Sequence, residues 1–71
     1  MKTKTTTRRY DVCEYATGCV VGAAVLSDEQ YGAYLDTAGE LGLVEARLLA
    51  ALTLEVALDT GVAADAVVYL I

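Results

Sequence analysis

The sequence predicts an α+β fold, a single small domain over residues 1–71 with the element order ββααβ. Three observations predict it. Two β-forming runs flank a glycine-containing loop near the N-terminus, a serine-capped helix start follows them, and an apolar run rich in β-branched residues, AVVYLI, closes the chain. A chain of 71 residues has room for one domain and buries only roughly 60% of the surface its unfolded form exposes. Small domains usually add disulfides, a metal or oligomerisation. The chain has no His, and Cys13 and Cys19 are its two soft ligands, so a zinc site lacks donors and no metal or cofactor is expected.

The elements follow in order. Residues 1–7, MKTKTTT, read as a flexible basic tail. Four of the five basic residues, Lys2, Lys4, Arg8 and Arg9, fall in the first nine positions. From Tyr10 onward one base, Arg47, stands against ten acids, so that segment carries 1 − 10 = −9 within a formal net charge of −5. TRRYDVCEY (7–15) and CVVGAAVL (19–26) read as an antiparallel hairpin closed by Ala16-Thr17-Gly18, with Gly18 in the left-handed position. That register sets Cys13 opposite Val21 and Tyr15 opposite Cys19. The two cysteines then do not face each other, and free thiols are expected. Gly22 inside the second strand marks a bulge or the close approach of a helix.

Ser27-Asp28-Glu29-Gln30 fits a capping box, with Ser27 as N-cap and Gln30 reaching back. Asp28 and Glu29 then occupy the first turn, where the helix dipole favours negative charge by about 0.3–1 kcal/mol each. Tyr31, Tyr34, Leu35 and Ala38 form the inward stripe, and Gly39 and Gly42 end or bend the helix. On a continuous helix Glu29, Asp36 and Glu40 fall within about 40° of one another on the opposite face. No Lys, Arg or His between residues 26 and 40 answers them. Like charges four apart cost about 0.2–0.5 kcal/mol. The row is either a solvated face of an acidic protein or a negative surface for a basic partner.

LVEARLLAALTLEVALDT (43–60) is rich in helix formers and reads as the second helix, closed by Gly61. Leu48, Leu52 and Val56 make one ridge, while Ala50, Ala51, Leu54 and Leu58 lie elsewhere around the axis. A helix apolar nearly all round must be covered on several sides, which predicts a homodimer through residues 43–60. The last run, 66–71, is a buried strand joining the hairpin.

No constellation in the chain points to catalysis. Cys13 and Cys19 lack a His base, and ATGCVVGA matches neither a phosphate loop nor a dinucleotide fingerprint. Asp11 and Glu14 are paired carboxylates, but no insertion builds a cleft around them. No enzyme activity is expected. The longest apolar region, 41–58, is interrupted by Glu45, Arg47 and Glu55, and the N-terminus lacks a secretory pattern, so a cytoplasmic protein without membrane association is expected. The basic tail attracts phosphates only weakly, and the acidic body repels nucleic acid. Carboxylates on rigid elements instead fit a basic groove that holds nucleic acid in another protein. Asp11, Glu14, Glu29, Asp36 and Glu40 are the candidate contacts, with Tyr15 beside them. Tyr10, Tyr15, Tyr31 and Tyr34 serve either as interface anchors or as core and sheet-face packing.

YDVCEYATGCVVGAAVLSDEQYGAYLDTA, residues 10–38, resembles the small hairpin-then-helix accessory proteins of bacterial phages and plasmids. In these a strand ending in Y-x-TG, a VG strand and an LSDEQ or LTDEQ helix start recur. The resemblance implies a non-enzymatic inhibitor of the anti-CRISPR or anti-restriction class. Such a protein acts in the bacterial host cytoplasm as a nucleic-acid mimic, blocking a basic protein or ribonucleoprotein surface. The alternative is a dimeric interaction module of antitoxin-like or scaffold type. The two differ in what the acids do: an inhibitor needs Asp36 and Glu40 presented together, and a scaffold tolerates their replacement.

Overall fold

The computed structural model describes residues 6–71. It is α+β, with two helices on one face of a five-stranded antiparallel sheet. The elements run β1 (Thr7–Glu14), β2 (Val20–Ser27), α1 (Asp28–Ala38), β3 (Val44–Glu45), α2 (Ala46–Leu52), β4 (Val56–Leu58) and β5 (Val67–Leu70). Across the sheet the order is β3-β5-β1-β2-β4, so the N-terminal hairpin is central and the two shortest strands are its edges. The order ββααβ is therefore corrected to ββαβαββ. The basic tail expected over residues 1–7 lies outside the described residues through position 5, and Thr7 already pairs with Ser27 in the hairpin.

The hairpin forms where the alternation predicts it, with a longer loop. Residues 15–18 turn the chain, the Glu14 amide donates to the Cys19 carbonyl at 2.9 Å, and Gly18 takes φ 72°. The register then slips: Val12 pairs with Gly22, but Cys13 pairs with Val20, leaving Val21 as a bulge. Cys13 thus does not face Val21, and Tyr15 bonds to Val67 of the β5 strand instead of facing Cys19. Both cysteines are free, Cys13 buried and Cys19 exposed. Gly22 has its close neighbour in a strand, where the sequence left open a helix. A Cβ there would overlap the Ala57 carbonyl oxygen and sit 2.9 Å from Leu58 Cδ2, so the side-chain-free position lets β4 dock.

The first helix begins as read. Ser27 Oγ accepts from the Gln30 amide at 3.2 Å and the Gln30 side chain accepts from the Ser27 amide at 2.9 Å. The helix ends at Gly39, whose amide donates to the Leu35 carbonyl. Of the expected stripe, Tyr34 is buried and Tyr31 and Ala38 are packed against the core, while Leu35 is exposed.

The second helix over 43–60 does not form. Residues 44–58 are split among β3, a seven-residue α2 and β4. The switch sits at Thr53, the buried polar residue of the core. Its backbone is extended, its hydroxyl donates to the Val25 carbonyl at 3.1 Å, and it accepts from the Glu55 amide at 3.1 Å. The outer edge of β2 carries amides and carbonyls that need partners. Segment 55–59 supplies them, through Val25 N–H to the Glu55 carbonyl and Asp59 N–H to the Val21 carbonyl. Tertiary pairing overrides helix propensity here. Gly61 consequently lies in the turn between β4 and β5 rather than after a helix. The ridge is also redrawn: Leu49 is 0% exposed and Leu52 half-buried, whereas Leu48 is exposed and Leu54 is 100% exposed. The all-round apolar helix that argued for a dimer through 43–60 is absent.

The core is one cluster: Val12, Ala24, Leu26, Tyr34, Val44, Ala46, Leu49 and Val68. Tyr10, Tyr31 and Tyr34 run along it as a ladder. Tyr10 and Tyr31 stack with centroids 5.0 Å apart and planes 6° apart, and Tyr31 and Tyr34 are 5.7 Å apart. The Tyr34 hydroxyl donates to the Gly42 carbonyl and accepts from the Leu70 amide at 3.3 Å, tying the loop after α1 to β5.

Candidate functional site

The six candidate residues fall into separate regions. Glu29 and Asp36 are exposed on α1, near its start and its end, with Asp28 beside Glu29 in the first turn. Glu40 is exposed but lies beyond the Gly39 cap, so the row of three does not continue along one helix. The four-residue spacing of Asp36 and Glu40 is helical only if the helix runs through Gly39, and it stops there.

Asp11 and Tyr15 belong to the other side of the molecule. Val12 points into the core, so its neighbour Asp11 projects from the sheet face that carries no helix. Tyr15 is 62% exposed in the hairpin loop and lines a pocket with Leu41, Leu43 and Tyr69. Leu41 follows Glu40 directly, which brings the segment after α1 to the same end of the sheet as the hairpin loop. Glu14, half-buried at the end of β1, accepts from the Thr17 hydroxyl at 2.9 Å.

The charge layout is one-sided. Of the ten acids, eight are exposed and Glu14 and Glu45 are half-buried. Among the described residues the ion pair present is Arg47 to Glu45, at 2.9 Å. The one base of the acidic segment is thus spent on one carboxylate, and nine acids are left without an ion-pair partner among the described residues. The Tyr34 pKa is raised, chiefly because burial disfavours the phenolate and further by the neighbouring Tyr31, against a lowering by the Leu70 amide. Its environment is that of a structural hydroxyl.

Among the described residues no group of three or more His, Cys, Asp or Glu could hold a metal ion, and no helix is long and apolar enough to cross a membrane. Sequence reasoning missed Asp59, which the register brings near Asp11 and Arg9 around a depression floored by Gly22, Ala23 and Ala57. Its signal was hidden because β4 was read as helix. No known protein family, curated protein or solved structure matches this chain.

Proposed function

We propose that the protein is a non-enzymatic binding module that occupies a basic, nucleic-acid-binding surface of a bacterial protein or ribonucleoprotein, acting as an inhibitor of the anti-CRISPR-like, mobile-element class. The observation that carries this reading is the set of unmatched carboxylates on and beside α1: Asp28, Glu29, Asp36 and Glu40, all exposed and none ion-paired among the described residues. A rigid helix pinned by its capping box holds the first three in place before a partner arrives. Binding then needs little ordering, and the shared sign of charge speeds encounter with a cationic groove. The protein works in the host cytoplasm, where its free thiols stay reduced.

The test is capture from bacterial lysate on the immobilised protein at low salt. The reading expects a basic nucleic-acid-binding protein that added DNA displaces, and its loss when Glu29→Lys and Asp36→Lys are combined. Capture that neither DNA nor the double substitution changes overturns it.

A further inference from the structure

The face of the sheet without helices, its bare face, carries one apolar pocket at the end where the hairpin loop lies. Tyr15, Leu41, Leu43 and Tyr69 line it, around a volume of about 310 Å³. Tyr15 is 62% and Leu41 82% exposed. Large apolar side chains gathered in one place mark an interaction site, where single scattered ones do not. Hydrogen bonds to β5 fix the walls. The Tyr34 hydroxyl donates to the Gly42 carbonyl, between Leu41 and Leu43, and accepts from the Leu70 amide, next to Tyr69. The Tyr15 amide donates to the Val67 carbonyl at 2.9 Å, two residues before Tyr69. Both loop walls are thus held in place before a ligand arrives.

The charge beside the pocket is negative. Glu14 directly precedes Tyr15, and Glu40 directly precedes Leu41. Glu40 is exposed, while Glu14 is half-buried and accepts from the Thr17 hydroxyl. Glu45, paired with Val67 across β3 and β5, is matched by Arg47 at 2.9 Å, so that ion pair adds no net charge. We infer that the pocket receives an arginine side chain of the basic partner, which rests on the function proposed above and adds a contact away from α1. Arginine is apolar and cationic at once. Its methylene stem lies along leucine side chains, its planar head stacks on tyrosine rings, and its charge meets the surplus carboxylates. A lysine ammonium is compact and strongly hydrated, and gains less from the rings. A purely apolar anchor would leave Glu14 and Glu40 unanswered, and a phosphate would be repelled by them. Arginine is also a residue with which proteins hold phosphates, so the pocket suits the same partner class as the carboxylates of α1.

The probes are an arginine–glycine repeat peptide and its lysine–glycine counterpart, of equal length and charge. At low salt the wild-type protein should bind the arginine peptide at least about threefold more tightly. In an NMR titration with that peptide, the amides of Tyr15, Leu41, Leu43 and Tyr69 should shift. Tyr15→Ala should bring the two affinities together, chiefly by weakening the arginine peptide, whereas Tyr15→Phe keeps the ring and should keep the preference. Leu41→Ser should lower the preference as well. Both positions are exposed, and circular dichroism checks that each variant folds. Equal affinities in the wild type, a preference that survives Tyr15→Ala in the folded protein, or shifts confined to α1 each overturn the inference. Glu29→Lys/Asp36→Lys, which tests the α1 surface, should weaken both peptides alike and leave their ratio unchanged, so the two readings fail separately.

Discussion

The two faces of the sheet are built from the same strands and end in opposite states. On one, Val12, Ala24, Leu26 and Val68 are buried under Tyr34, Ala46 and Leu49. On the other, Arg9, Asp11, Ala23, Val25, Ala57 and Val67 stand half-buried or exposed, while Cys13 is buried at the end where Tyr15, Leu41 and Leu43 line a pocket with Tyr69. β-branched and small apolar residues occur on both, so hydrophobicity alone does not decide which face is the core. The helices decide it: Ser27 turns the chain from β2 into α1 at once, and α1 then falls back on the Ala24–Leu26 side. One face is thus closed by α1 and α2, and the other carries no helix.

The largest effect should come from a paired comparison across the sheet. Leu49→Ala removes a side chain from the covered face and should cost about 2–5 kcal/mol in urea unfolding. For a domain of this size that is a large share of a total of about 0.05–0.15 kcal/mol per residue. Val20→Thr on the bare face, measured at concentrations where the chain is monomeric, should stay within about 0.5 kcal/mol of wild type. Equal losses at the two sites would mean that the bare face is packed in the monomer.

A middle-sized effect is expected at Tyr34, which joins the covered face to the loop after α1. Tyr34→Phe leaves the Leu70 amide and the Gly42 carbonyl without their hydroxyl partner and should cost about 1–3 kcal/mol. The raised pKa adds a pH signature. The folded state holds the Tyr34 proton more tightly than the unfolded state does. Its contribution is therefore complete below the ordinary tyrosine value of 10.0 and is lost as pH climbs through the raised folded value. Urea titrations from neutral to strongly alkaline pH should show wild type losing its advantage over Tyr34→Phe only in that upper window. An advantage that does not change with pH would remove the linkage.

The smallest expected effect separates the faces at their hinge. Ser27→Ala deletes the cap that starts α1 and should cost about 0.5–2 kcal/mol in urea unfolding. A loss as large as that of Leu49→Ala would show that the hinge is part of the covered core.

How much of this was legible in the sequence follows from how local each signal is. The hairpin, the Ser27–Gln30 box and the C-terminal strand are set by neighbours within a few residues; the box formed as read, the hairpin formed in place but with a longer loop and a bulge that shifts its register, and the last strand formed over Val67–Leu70 with Val67 exposed. Residues 43–60 were not legible. Leu, Ala and Glu favour a helix locally, but Thr53 and Val56 answer the open edge of a strand nearly thirty positions earlier, as Thr53 does to Val25. Nothing within the segment reports that edge. The candidate site suffered the same way: Glu40 follows Asp36 by a helical interval, and only the cap at Gly39 breaks the row. The ladder of Tyr10, Tyr31 and Tyr34 resolved the other way, into core packing, leaving Tyr15 as the exposed member of the four.

The edges of the sheet bear on what this protein does when it is crowded. The outer strands are β3, two residues long, and β4, three residues long. A long outer strand templates the addition of further chains without end, the route to fibres and amorphous precipitate. Here a newcomer finds rungs for only two or three residues, too few to hold a strand in place. Growth sideways is starved. Concentrated solutions should therefore stay clear and finite in particle size, and such a chain can be made in quantity inside a cell without seeding its own aggregation.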